Sequence, residues 1–221
     1  MSKLLSVHSL IAYLTQEGTT RRQADWDAYK IIRTLKGKPF NGYFELSIGG
    51  KNKKFENSNA SEFLPVLFRA VGKQLKAIVP GPFELVPIPN SSASVKSGGN
   101  SFATLKYAQA IAGVVGAQAS VSPALLWKVP KTSARDGGSR DPQVHCANLA
   151  VVRKLTKPVV IFDDVMTSGS QMIAAHRMLR AAGAKILLGL AIGRTIHEPV
   201  KPVFKWREEE IETESRPIEF F

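Results

Sequence analysis

An α/β fold, with a twisted, mainly parallel sheet flanked by helices, is what this 221-residue sequence predicts. Three observations carry that expectation. From residue 80 onward, short apolar runs alternate with longer amphipathic ones, the pattern of strands feeding crossover helices. Val159, Val160, Ile161 and Phe162 form an apolar run with no polar alternation, as a strand buried on both faces requires. Gly183 stands where a helix C-cap belongs, between an amphipathic run over 171–182 and an apolar one over 185–192.

Taken in order, the chain opens with Leu4, Leu5, Leu10, Ile11 and Leu14, a spacing close to the helical period, and passes through a polar segment over 16–23. A second amphipathic run over 26–35 predicts a helix that stops at Gly37 and Pro39. Residues 43–48 alternate as a strand, Gly49-Gly50-Lys51-Asn52 supplies a turn, and Lys54-Phe55-Glu56 is the expected partner. Over 58–79, Phe63, Leu64, Leu67, Phe68, Val71 and Leu75 share one helical face, with Ser61 as the expected cap. Next come a strand over 83–88, a helix over 102–115, a short strand within 119–127, and the strand, helix and strand already named. The organisation expected is an N-terminal α+β lobe over 1–79, a core over 80–196 and a tail over 197–221. The tail carries Phe204, Trp206, Ile211, Ile218, Phe220 and Phe221 as candidate docking anchors.

Composition narrows the class. Hydrophobic residues at 44% and charged residues at 22% are ordinary for a globular chain that buries a full core. No apolar run reaches the length of a membrane span, and the first eight residues lack the apolar stretch of a secretory leader. Cys146 is the one cysteine, which excludes an internal disulfide framework and a cysteine zinc cluster, and a reducing cytoplasm is the expected compartment. Residues 198–221 hold four basic and seven acidic side chains, so the first 197 residues carry a net +15. Such a body attracts anions. A phosphorylated small ligand, a nucleic acid and a merely solubilising surface each account for it, with the small ligand favoured over nucleic acid.

The chemistry concentrates after the buried run. Asp163 and Asp164 close it, Thr167-Ser168-Gly169-Ser170 forms a small hydroxylated turn, and Gln171 begins a helix. A helix N-terminus offers free N–H groups and a positive dipole end to a phosphate, and hydroxyls add donors. Twin carboxylates accept hydrogen bonds from sugar hydroxyls. An acidic N-cap would explain one of these acids but not two. Gly169 is expected to be glycine so that the phosphate can approach the backbone. Further upstream, Pro87 and Pro89 stiffen a loop in which Asn90, Ser91 and Ser92, followed by Lys96, can face an anion. Residues 131–141 are basic and glycine-paired and are expected to be exposed and mobile, with Lys131, Arg135 and Arg140 as their cations. His145, Cys146 and Asn148 are expected to pack rather than react.

The stretch from Val159 to Ser170 resembles the phosphoribosyl-pyrophosphate (PRPP) signature of the type I phosphoribosyltransferases: four apolar residues, two acids, two apolar residues, then Thr-x-Gly-x. The segment around Leu85 to Asn100 is similar to that of the competence protein ComF and its relatives, although the basic stretch is mostly serine here and no cysteine finger exists. The 131–141 loop resembles the closing loop of orotate phosphoribosyltransferases. The resemblance implies a type I phosphoribosyltransferase fold whose N-terminal lobe and C-terminal tail form a hood over the acceptor. It implies transfer of phosphoribose to a nucleobase or related nitrogen acceptor with release of pyrophosphate, and a commonly dimeric enzyme of nucleotide metabolism. It assigns the 5′-phosphate to Thr167, Ser168, Gly169, Ser170 and Gln171, and pyrophosphate to Pro89, Asn90, Ser91, Ser92 and Lys96. Catalysis falls to Asp163, Asp164, Lys131, Arg135 and Arg140, with Mg²⁺ held by Asp163 and Asp164 directly or through water. The alternative is a non-catalytic PRPP or nucleotide sensor, or a ComF-like nucleic-acid-associated protein.

Overall fold

The computed structural model describes residues 4–16, 18–96, 101–130 and 138–214. Strand β1 (Leu4–Leu14) leads to helix α1 (Gln23–Leu35) and the hairpin β2 (Tyr43–Ile48) and β3 (Lys51–Glu56). A 3-10 turn (Ala60–Phe63) enters α2 (Leu64–Ile78), followed by β4 (Phe83–Pro87) and α3 (Ala103–Val115). Short strands β5 (Ala119–Val121) and β6 (Leu125–Trp127) precede α4 (Pro142–Asn148) and β7 (Leu149–Val151). The chain then forms β8 (Val159–Met166), α5 (Ser170–Ala181), β9 (Ile186–Ile196) and β10 (Phe204–Glu212).

The fold is α/β. A six-stranded sheet in the order β10-β1-β9-β8-β4-β5 forms its centre, and every neighbouring pair is parallel except β1 with β10. The carboxyl ends of β1, β9, β8 and β4 therefore meet along one edge, the place where open parallel sheets bind ligands. β8 runs through the middle, and Val159, Val160, Ile161 and Phe162 are wholly buried. One core cluster joins α1, the hairpin and α2 to the sheet, running from Ile32, Phe44, Phe55 and Phe63 to Phe83, Val160, Phe162 and Leu190. Each such buried aliphatic or aromatic side chain contributes about 1.5–3 kcal/mol.

Several elements differ from expectation. Residues 4–14 form a strand, not a helix. β1 is an interior strand to which both core clusters contribute, Leu5 and Val7 packing in one and Leu10, Ile11 and Tyr13 in the other, so the two-residue polar alternation that marks a half-exposed strand is missing. A register shift between Ser9 and Ile11 disturbs the pattern further. In the tail, Phe204, Trp206 and Ile211 belong to β10, whose glutamates obscure its strand character while suiting an unpaired sheet edge. Ile218, Phe220 and Phe221 lie outside the described residues. Ser61 sits inside the 3-10 turn, and α2 instead opens with Pro65 in its first turn, where the missing N–H costs nothing. The 119–127 segment holds two short strands, and β8 continues past its acids to Met166.

Helices α2 and α3 pack at close range because Gly72 has no side chain. A Cβ there would lie 2.7 Å from Val114 Cβ and 3.0 Å from the Ile111 carbonyl oxygen. Gly72→Ala should therefore destabilise the fold despite alanine's better helix propensity, by about 1 kcal/mol net or roughly 2–4 °C in Tm. Thermal denaturation of the variant beside the parent checks this, and an unchanged or raised Tm would show that the helices can separate freely.

Candidate functional site

The twin acids sit at the carboxyl end of β8, where the strand leaves the sheet interior. Asp164 is buried and Asp163 half-buried. The Asp164 N–H donates to Asp163 Oδ1 at 2.9 Å, and the Val165 N–H donates to Asp164 Oδ1 at 2.7 Å. Lys36, the C-cap of α1, donates from Nζ to the same Asp164 oxygen at 2.6 Å. Tyr107 on α3 fixes that end of α1 by donating its hydroxyl to the Leu35 carbonyl at 2.6 Å. Burial, then the neighbouring Asp164 carboxylate, raises the Asp163 pKa to about 7. Burial alone would lower the Lys36 ammonium, but Asp164 and Asp163 outweigh it and hold its pKa above the ordinary value. Burial and Asp164 raise the Tyr107 hydroxyl as well.

The turn into α5 is braced from outside. Gly169 adopts φ +78°, a conformation in which a side chain is strained. A Cβ there would make only ordinary contacts with Met166 and Ile211, so among the protein's own atoms it is the backbone conformation that requires the glycine. The Ser170 N–H donates to Ser168 Oγ at 3.4 Å, and Ser168 Oγ donates to Ser170 Oγ at 3.0 Å. Arg194 on β9 donates to the Thr167 carbonyl. The same guanidinium grips Glu209 of β10 with both arms, at 2.6 and 3.1 Å.

The loop after β4 is pinned where it leaves the strand. Trp127 Nε1 donates to the Pro89 carbonyl at 3.0 Å, and Thr104 Oγ1 donates to the Ile88 carbonyl at 2.6 Å. Asn90 Oδ1 accepts from the Thr104 N–H and hydroxyl at 3.4 and 3.3 Å, which leaves its NH₂ as the donor for a ligand.

These elements enclose a cleft of about 720 Å³, the size of a small-molecule site. Asp163, Asp164, Thr167 and Gln171 line it from β8 and α5; Pro89, Asn90 and Ser91 line it from the loop after β4, and Arg140 from the approach to α4. Ser92, Lys96, Ser168, Gly169 and Ser170 are not part of its lining. Lys131 and Arg135 lie outside the described residues. His145 packs on Trp127 with ring centroids 5.8 Å apart, Cys146 Sγ faces the Ala174 carbonyl at 3.9 Å, and Asn148 ties down Val129 by two hydrogen bonds.

Sequence reasoning missed the wall built by α1 and β1. Tyr13 and Thr15 line the cleft from the end of β1, and Arg33, Lys36 and Lys38 from the end of α1. Three cations in six residues at a helix stop were the available signal, although basic last turns are common for reasons of helix dipole alone.

Among the described residues no group of three or more histidine, cysteine or acidic side chains could hold a metal. The two carboxylates suit a Mg²⁺ that arrives with substrate oxygens and keeps its waters. Asp164 Oδ1 is already shared by Lys36 and the Val165 N–H, so Asp163 is the less committed donor.

No protein-family model matches the chain, and no curated protein matches it. Among solved structures it is similar to a hypoxanthine phosphoribosyltransferase from Staphylococcus aureus at 13% identity and a TM-score of 0.39, over 61% of this chain and 73% of that one. An adenine phosphoribosyltransferase from Giardia lamblia complexed with 9-deazaadenine gives 16% identity and 0.40, over 80% and 100%. The orotate phosphoribosyltransferase from Aeropyrum pernix gives 13% and 0.38, over 80% and 83%. What the cleft can do follows from its own residues.

With its folded pKa raised to about 7, Asp163 binds a proton more tightly in the native state than in the unfolded one. Its contribution to stability is present below about pH 4, is lost as pH rises, and is gone above about pH 7. Asp163→Asn should therefore gain stability relative to the parent as pH rises through that window. Tm measured for both proteins across it checks the sign; a difference that does not vary with pH would place the acid in solvent.

Proposed function

We propose that this cleft binds PRPP and transfers its phosphoribosyl group to a nitrogen acceptor, releasing pyrophosphate. One observation supports this above the others: the acids, the loop after β4, the α5 turn and Arg140 are far apart in sequence and line a single cleft at the carboxyl ends of parallel strands. Those are the parts that a sugar carrying phosphate at one end and pyrophosphate at the other needs.

In the reaction the C1–O bond breaks with its electron pair leaving on pyrophosphate, a C1–N bond forms, and the acceptor nitrogen loses its proton. The sugar gains positive charge and the leaving group negative charge, so the protein acts by positioning and by electrostatics. Asp163 and Asp164 accept from the ribose hydroxyls and offset the positive charge on the ring. Thr167, the α5 N-terminal N–H groups and Gln171 hold the 5′-phosphate. Asn90, Ser91 and Arg140 face the pyrophosphate, and Lys131 and Arg135 complete that set of cations. Arginine can clamp two pyrophosphate oxygens at once, which a lysine cannot. Mg²⁺, held by Asp163 and Asp164 with substrate oxygens, would neutralise leaving-group charge when bound. Lys36 holds the Asp164 carboxylate in place through its hydrogen bond to Oδ1. The acceptor enters between the pyrophosphate loop and the α1 wall.

Asp163→Asn combined with Asp164→Asn should abolish PRPP-dependent pyrophosphate release, assayed over a panel of nucleobases, without loss of the folded state. Release that persists in this variant would remove the acids from the mechanism, and PRPP binding without release from any base in the parent would make the protein a sensor. Replacing Lys131, Arg135 and Arg140 together by alanine should lower kcat by on the order of 10²–10³. A rise in KM with kcat unchanged would reduce these residues to ligand capture.

A further inference from the structure

One surface beside the cleft is not used by the chemistry above. At roughly 100° per residue, Trp26, Tyr29, Lys30 and Arg33 of α1 fall within one arc of about 100°, opposite the buried Ala28, Ile31, Ile32 and Leu35. No carboxylate shares that arc. Asp27 lies to one side of it, held by Gln23 at 2.9 Å, and Asp25 lies near the buried side, paired with Arg22 at 2.8 Å.

Cations and rings interleave along this face. Arg21 stacks 5.0 Å over Trp26 and 5.5 Å over Tyr29, and Arg33 stacks 5.6 Å over the same tyrosine. Tyr13, which lines the cleft, lies 6.4 Å from Tyr29. On the other side Lys30 donates to the Tyr43 carbonyl and faces that ring at 5.9 Å, while Lys54 lies 4.1 Å from it. Lys54 also pairs with Glu56 at 3.0 Å, an exposed contact that holds it only weakly. Trp26 and Tyr43 are 42% and 45% exposed, large rings left in water where burial was available to other aromatics of the chain.

We infer that this face of α1, continued by Tyr43, is a docking surface for single-stranded nucleic acid that leads toward the cleft. Exposed rings offer stacking platforms to unpaired bases, and the cations between them track a phosphate backbone. A free nucleobase would not need it, because the face is open and extends about 10 Å from Trp26 to Arg33. A duplex would not use it, because its bases are already stacked. The net charge of +12 draws in the polymer from a distance. The inference does not depend on the phosphoribosyl reading.

The test is fluorescence anisotropy of a labelled oligothymidylate of about ten nucleotides with the intact protein, over a series of salt concentrations. The parent should bind, with affinity falling as salt rises. Trp26→Ala with Tyr43→Ala should weaken binding on the order of tenfold or more with an unchanged Tm. Trp26→Phe with Tyr43→Phe, which keeps the rings, should restore most of it. Asp163→Asn with Asp164→Asn should bind the oligonucleotide as the parent does, which separates failure here from failure of the transferase assignment. Absence of binding at low salt, equal binding by the alanine variant, or equal affinity for a duplex or heparin would each overturn the proposal.

Discussion

Two carboxylates at the end of a buried strand are an electrostatic liability, and the ammonium of Lys36 is what makes them tolerable. Asp164 is nearly sealed from water, with 7% of its side chain exposed, whereas Lys36 retains a solvent-facing flank. Removing Lys36 would leave the sealed Asp164 charge without compensation, which costs far more than the pair contributes, whereas the half-exposed lysine can turn to water if the carboxylate is replaced. The fold is arranged around this constraint. α1 must end where β8 ends, Tyr107 holds that helix end, and Ile32 packs against the side-chain-free Gly193 of β9 to bring α1 close enough. The same contact places Arg33 and Tyr29 beside the mouth of the cleft.

The cleft thus has two walls of different origin. One consists of turns at strand ends, whose small residues and N–H groups suit phosphates. The other is a helix laid across the sheet edge, which carries side-chain cations and rings. Under the proposed function, anion recognition would divide between them in kind: backbone donors on one side hold a fixed shape, and long flexible side chains on the other adapt to what is bound.

Local pattern made much of this visible from the chain alone. The apolar run of β8, its acids, the hydroxylated turn and Gly183 are contiguous, and contiguous features carry their own geometry. The α/β class followed from the alternation of strands and helices. β1 and β10 were not visible, because their character comes from neighbours far away in the chain. β1 lost its alternation by packing into both core clusters, and β10 carries the charges of an unpaired edge. Lys36 was hidden for the same reason. It is separated from Asp164 by 128 residues, and a lysine after a helix looks alike whether it meets water or a buried carboxylate. Gly169 shows the converse. Its identity was anticipated from ligand clearance, and the positive φ of its backbone supplies a second cause that the chain alone did not reveal.

The two-armed grip of Arg194 on Glu209 has one more consequence. Glu209 comes from the outermost strand, yet the arginine it steadies also supports the carbonyl of Thr167. A chain cut before Phe204 would lose the glutamate and keep the arginine, leaving an unneutralised guanidinium next to the hydroxylated bend. Such a shortened protein would turn a braced bend into an open patch of positive charge that attracts small anions indiscriminately.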